Sequence, residues 1–322
     1  MSFTDLITIA MPCYERREFF SEALESALNQ TVKCKIIVVD NCSSHNYFKK
    51  ACEKKAVTYF RNETNIGLFP NINRCYELAD TEYVKILDDD DILLPTYVES
   101  FLKAHKLHPD IDVYFTNYLL LSAKGEKPNK EVLPYGYLAN GHKVLEYGIF
   151  HRLGFPYMTA AIKKEKAKLD LDHKLCMGGY DWVWVYSKST RLSFFGDTQR
   201  LHKYRYHENK ASRGKDWSAN LLTYSYIYDL VIPKIVTDKK LVKLANKFAF
   251  EELMSLKSYG NISELKLIMN GDNRFGNYLK EKLNDSLRLR VIFYLPKKWI
   301  WIVTFLRRKK NKFFHNNYRK RA

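Results

Sequence analysis

Residues 83–95 read YVKILDDDDILLP. Tyr83 to Leu87 is a short apolar run of the kind that forms a buried strand, four carboxylates follow at its end, and Pro95 opens a helix predicted to run to about His108. The same grammar repeats upstream. Leu6–Met11, Lys35–Asp40 and Val57–Phe60 are strand candidates rich in Ile and Val, and the helical stretches Arg17–Asn29, Tyr47–Lys54 and Asn71–Ala79 lie between the strands. In the first of these helices Phe20, Ala23, Leu24, Ala27 and Leu28 recur at helical spacing. A strand–helix–strand order implies an α/β fold, a Rossmann-like and mainly parallel sheet with helices on both faces. Ligands of such sheets sit beyond the carboxyl ends of the strands. Three of those ends carry chemistry: Met11-Pro12-Cys13-Tyr14-Glu15-Arg16, Val39-Asp40-Asn41-Cys42-Ser43-Ser44 and Leu87-Asp88-Asp89-Asp90-Asp91.

Adjacent carboxylates repel, so Asp88 to Asp91 call for a cation or for strong local hydrogen bonds. Hard oxygen ligands on a loop, with room for phosphate oxygens, suit Mn²⁺ or Mg²⁺ held together with a diphosphate. The plainer reading is an acidic start to the helix after Pro95. Both hold if Asp91 caps while Asp88 to Asp90 face the ligand.

The segments ITIAMPCYER, KIIVVDNCSS, NETNIGLFPNINRCYELA and YVKILDDDDILLP, in this order and spacing, together resemble the nucleotide-binding half of glycosyltransferase family 2, inverting enzymes of GT-A fold. The likeness covers about the first 120 residues. It implies that Pro12, Tyr14, Glu15 and Asp40 hold the base and ribose of a nucleotide-sugar, that Asn65 and Gly67 form a turn close to the donor, that Asp88 and Asp89 contact the donor, and that Asp90 ligates the metal. Two departures stand out. Asn41 and Cys42 replace an acid and a glycine common in the family, and Glu15 stands where Asn is frequent.

An inverting transfer needs one carboxylate to take the acceptor's proton. Cys176 to Trp184, CMGGYDWVW, resembles the family segment in which an aspartate at a helix start is that base, which implies Asp181; Tyr180 replaces a common acid. A plain helix cap is the other reading of Asp181. Tyr204 to Ser212, YRYHENKAS, resembles the family's Tyr-Arg-x-His segment, so His207 is a candidate for the metal or the diphosphate, with Arg205 or Lys210 balancing phosphate charge.

The rest of the chain is patterned more loosely. Val113–Ser122, Tyr157–Ile162, Arg191–Phe195 and Lys203–Tyr206 read as strands, residues 125–141 as a long loop, Asp181–Ser187 as a helix, and helical periodicity dominates beyond Trp217. The expected organisation is residues 1–215 as the transferase domain, split at 122/123 into nucleotide-sugar and acceptor halves, then a helical region 216–285 and a basic tail 286–322.

Of 322 residues 46% are apolar, enough for a sizeable core. The net charge of +17 is concentrated at one end, since residues 280–322 hold 14 basic and 2 acidic side chains. Trp299-Ile300-Trp301 beside Arg307 to Lys310 suits an anionic membrane surface, and the interrupted run Val291–Leu306 is too short to span one. With no signal peptide and no paired cysteine spacing, the expectation is a cytoplasmic protein, peripheral on the inner face of the membrane. The expected substrates are a UDP-linked sugar and a glycan or lipid-linked glycan, with no nucleic acid. Two alternatives compete: a sugar nucleotidyltransferase, which should show a glycine-rich loop where Pro12 to Arg17 has none, and a metal-dependent nuclease, for which no nucleic-acid reading motif is present.

Overall fold

The computed structural model describes residues 3–129, 135–151, 155–169, 180–207, 217–259, 269–270, 274–287 and 289–290. The chain divides into two compact units, one of residues 1–171 and 180–208 and one of residues 172–179 and 209–322.

The first unit is built on a mixed sheet. Its strands are β1 (Phe3–Cys13), β2 (Lys33–Asp40), β3 (Thr58–Arg61), β4 (Tyr83–Ile86), β5 (Ile92–Leu93), β6 (Val113–Ser122), β7 (Gly125–Pro128), β8 (Gly136–Leu138), β9 (Ala161–Lys163) and β10 (Phe194–Arg205). The spatial order is β3-β2-β1-β4-β9-β6-β10-β5, with β7 on β6 and β8 on β10. The β3-β2-β1-β4 half is parallel, as the strand–helix order requires, and β9 enters antiparallel between β4 and β6. β7 and β8 lie within the stretch expected to be loop.

Alternate residues of the central strands supply two cores. Ile7, Ile9 and Met11 pack on one face with Phe20, Phe48 and Phe101; Ala10, Ile37, Val39 and Val84 pack on the other with Ile72, Tyr76 and Trp184. Helices α1 (Phe20–Leu28) and α2 (Tyr47–Lys55) meet on the first face through Phe20 and Phe48, whose ring centroids lie 4.7 Å apart. Each such fully buried ring contributes about 1.5–3 kcal/mol. Helix α3 (Leu68–Leu78) starts three residues earlier than its spacing predicts, because Pro70 sits in the first turn, where its missing N–H costs nothing. Helix α4 (Tyr97–Leu107) has Thr96 at its N-cap position, so Asp91, a full turn and more upstream, is not its cap. Helices α5 (His142–His151), α6 (Lys164–Ala167) and α7 (Tyr180–Lys188) complete this unit.

In the second unit α8 (Trp217–Tyr226) widens into a π-helical turn at Ile227–Val231 and continues as α9 (Ile232–Ile235). Pro233 cannot donate to the carbonyl four residues back, and a wider turn accommodates that loss. α10 (Lys239–Tyr259) and a helix at Arg274–Asp285 pack here, and Ser225 Oγ joins Ala249 O (2.9 Å) and the Tyr278 hydroxyl (2.8 Å). Among the described residues no helix is long and apolar enough to cross a membrane. The apolar block around Trp299 and the basic cluster from Arg307 lie outside the described residues.

Candidate active site

β2, β1 and β4 are parallel neighbours, so their carboxyl ends reach one rim: Cys13 pairs with Asp40, and Leu87 N donates to Ala10 O (3.0 Å). Beyond Leu87 the four aspartates form a turn in which Asp91 N donates to Asp88 O (3.2 Å). β5 then pairs antiparallel with β10, His202 opposite Leu93, and this brings the end of β10 against the turn.

The four carboxylates have different surroundings. Asp91 is fully buried; its Oδ2 meets His202 Nε2 at 2.8 Å and its Oδ1 accepts the Arg205 backbone N–H at 2.9 Å. Asp90, also buried, meets His207 Nε2 at 2.8 Å and Arg16 Nη1 at 3.2 Å through one oxygen, Oδ2. Asp89 is bonded to Arg16 Nη2, and burial lifts its carboxyl to about 6 against the opposing pull of that guanidinium. Asp88 is half-buried. Phe19 supports the β10 side: its ring lies 5.0 Å from the His207 ring, and the Arg205 guanidinium stacks on it at 4.5 Å while donating to Asp90 O (2.7 Å) and to Glu22.

Asp88, Asp90 and Asp91 each bring a carboxylate oxygen to within 4.8 Å of the others. With Asp91 engaged by His202 and Arg205, the donor set fitting a hard divalent cation is Asp88 and Asp90, joined by the His207 nitrogen already at Asp90.

Asp40 is at the rim but fully buried. Its Oδ1 accepts from Ser43 N (2.9 Å) and Ser43 Oγ (2.6 Å), and its Oδ2 from the Tyr59 hydroxyl (2.6 Å) and Arg61 Nη1 (3.1 Å). Glu15, at φ 56°, ties the β1 loop to the β2 loop: its carboxylate accepts from Ser44 N (2.6 Å) and Ser44 Oγ (2.8 Å), which hold it below the usual range. Pro12 is buried within β1, while Tyr14 stands 43% exposed on the rim. A cavity of about 540 Å³ opens nearby, lined by Ser44, His45, Asn46, Lys49, Tyr59 and Arg61.

Asn65 and Gly67 belong to a loop held by Asn41. The Asn41 amide donates to Asn65 Oδ1 (2.7 Å) and Gly67 O (3.2 Å), and its oxygen accepts from Asn62 (3.0 Å) and Ile66 N (3.0 Å). An aspartate at this position has no donor for the first two contacts, which accounts for the departure noted in the sequence. Gly67 has φ 90°, a region L residues avoid.

Asp181 lies in the first turn of α7, and its side chain is outside the described residues, as are Lys210 and Ser212. Sequence reasoning missed Arg16, His202 and the buried Lys85. Arg16 stood in a quoted motif without a role; His202 carries no local signal, since only the sheet brings it to the carboxylates, and Lys85 stood as the one charge in the strand that leads into them.

Residues 8–163 match the family model described as glycosyl transferase family 2. An uncharacterized glycosyltransferase of Methanocaldococcus jannaschii is 31% identical over 210 residues, 62% of this chain and 70% of that protein. Two further curated glycosyltransferases, from Haemophilus influenzae and Escherichia coli, match at 30% and 33% identity over 41% and 39% of their lengths. Among solved structures, S. aureus TarS 1-349 in complex with UDP-GlcNAc superposes with a TM-score of 0.61 at 13% identity, covering 89% of this chain and 88% of that one. The mannosyltransferase PcManGT from Pyrobaculum calidifontis, in complex with GDP-Man and Mn²⁺, gives 0.53 at 13% identity over 93% and 86%. These likenesses show a shared fold.

Proposed function

The chain belongs to glycosyltransferase family 2, and from that premise we propose that it transfers a sugar from a UDP-linked donor to a hydroxyl of a glycan or lipid-linked glycan, with inversion, in cell-surface polysaccharide assembly. The observation that carries this reading is the gathering of Asp88, Asp90 and Asp91 at the carboxyl edge of the parallel strands, with the His207 ring nitrogen at Asp90. Asp88, Asp90 and His207 would hold Mn²⁺ or Mg²⁺, which when bound neutralises the diphosphate leaving group. TarS and PcManGT, solved with UDP-GlcNAc and with GDP-Man and Mn²⁺, support the choice of donor class and ion.

The remaining roles fall to the chain. Tyr14, exposed on the rim, stacks on the base; Asp40 and Glu15 act by holding the loops that shape its pocket; Pro12 sets the strand end; Asn65 and Gly67 bring backbone close to the donor. Asp89 keeps Arg16 at the donor. Asp181 takes the proton of the acceptor hydroxyl as that oxygen bonds to the anomeric carbon, while the bond to the diphosphate oxygen breaks and UDP leaves. Residues 1–215 form the transferase domain, 216–285 the helical region, and the tail 286–322 rests on the anionic inner face of the membrane.

Thermal stabilisation of the full chain across a panel of nucleotide-sugars, with and without Mn²⁺, tests the proposal. A shift with one UDP-sugar that needs Mn²⁺ is expected. No shift with any nucleotide-sugar in the presence of Mn²⁺ refutes it.

A further inference from the structure

We propose that Arg16 is the resident counter-cation of the carboxylate turn, surrendering Asp90 when metal and nucleotide diphosphate arrive together and so coupling the two binding events. The inference rests on the metal and diphosphate reading above.

One guanidinium touches three groups of the site. Its Nη2 is bonded to Asp89, and its Nη1 lies 3.2 Å from Asp90 Oδ2 and 3.4 Å from His207 Nε2. Asp89 is 5% and Asp90 1% exposed. Two neighbouring carboxylates this deep need a positive charge, and the planar fork of arginine can serve both at once. The Asp90 oxygen that Arg16 approaches is the one that meets His207. A divalent cation held by Asp90 and His207 therefore brings two positive charges to the neighbourhood of a third, and one of them has to move.

The structure indicates which. Asp90 is fixed from behind, since Arg205 Nε donates to its carbonyl at 2.7 Å. Arg16 sits instead on the loop after β1, beside the rim residue Tyr14, with its side chain 27% exposed. With Nη2 kept on Asp89, a short swing takes Nη1 outward to the place a diphosphate must occupy beside the metal, where a phosphate oxygen accepts from it in place of Asp90. Diphosphate thus relieves the repulsion that metal alone creates, and by reciprocity each ligand tightens the other.

The test is a titration of the full chain with Mn²⁺, followed by the electron spin resonance of the free ion, with and without UDP. It compares wild type, Arg16→Gln and Arg16→Lys, with thermal unfolding as the check on folding. Without UDP, Arg16→Gln is expected to bind Mn²⁺ about three- to tenfold more tightly than wild type, while its UDP affinity at saturating Mn²⁺ falls and the factor by which UDP tightens Mn²⁺ shrinks by a similar amount. Arg16→Lys keeps the charge without the fork and should fall between the two. An unchanged coupling factor in Arg16→Gln, or in Arg16→Lys should the first variant fail to fold, overturns the inference, as does Mn²⁺ binding that weakens without UDP. Wild type that binds neither Mn²⁺ nor UDP refutes the proposed function itself; wild type that binds both, with variants that change neither, refutes only the role of Arg16.

Discussion

Lys85 lies in the middle of β4 with no exposed surface, its ammonium donating to Ile86 O and Met158 O (both 2.5 Å) and lying 5.6 Å from the Tyr97 ring centroid. Burial pushes it down to about 7, against the opposing charges of Asp88 and Asp91. An unfolded lysine titrates near 10.4. Between about pH 7 and 10 the unfolded chain therefore holds a proton that the folded chain has released, and stability rises with pH through that window. From about pH 7 to about pH 8.5 this one group should add roughly 1.5–2 kcal/mol. Lys85→Met keeps the length and apolar bulk of the side chain and removes the titration. It also strips two carbonyls of a partner, a cost that does not change with pH. Urea unfolding of wild type and Lys85→Met at the two pH values isolates the effect: the stability difference should move by the stated amount in favour of wild type at the higher pH. Two stabilities that run parallel within about 0.5 kcal/mol would show that Asp88 and Asp91 hold the ammonium at its ordinary value and that the burial argument fails.

Asp90→Ala should abolish Mn²⁺-dependent UDP binding while leaving a cooperative thermal transition; activity that persists in EDTA would remove the metal from the mechanism. Asp181→Asn should keep donor affinity and lower turnover about a hundredfold or more, as loss of a general base does, and near-normal turnover would move the base elsewhere. Asn41→Asp replaces two donated hydrogen bonds, to Asn65 and Gly67, by facing acceptors, so urea unfolding should show a loss of about 2–4 kcal/mol. Truncation after Asp285 should release the protein from anionic vesicles in sedimentation while transfer to a soluble acceptor analogue continues; equal binding with and without residues 286–322 would overturn the membrane role of the tail.

The parallel half of the fold was legible because its strands are short and apolar and are spaced by helices with a clear buried stripe, as in Phe20, Ala23, Leu24 and Ala27. The β6–β10 half was less so. β7 (GEKP) and β8 (GYL) are short edge strands with no hydrophobic alternation, and they exist because β6 and β10 offer them backbone partners. The rim was legible as a set of strand ends, yet the direction each side chain takes was not. Asp40 reads as a free carboxylate at the end of an apolar strand. Its partners, Ser43, Tyr59 and Arg61, come partly from the neighbouring strand β3, and a linear reading has no means to count them.

The four aspartates show the same limit at closer range. In sequence they are equivalent, and a repeated carboxylate carries no periodicity from which to assign a register. In the fold, the antiparallel pairing of β5 with β10 fixes the last of them: His202 stands opposite Leu93, so its ring reaches Asp91, and the adjoining Arg205 N–H takes the other oxygen. With Asp91 consumed, the next carboxylate falls to His207, two residues beyond Arg205, and Asp89 is left to the guanidinium from the β1 loop. Asp88, half-buried, opens the turn. The different surroundings of Asp90 and Asp91 therefore come from β10 and the residues just beyond it, and a one-residue slip of β10 against β5 would turn the His202 ring to the other face of the sheet, away from Asp91.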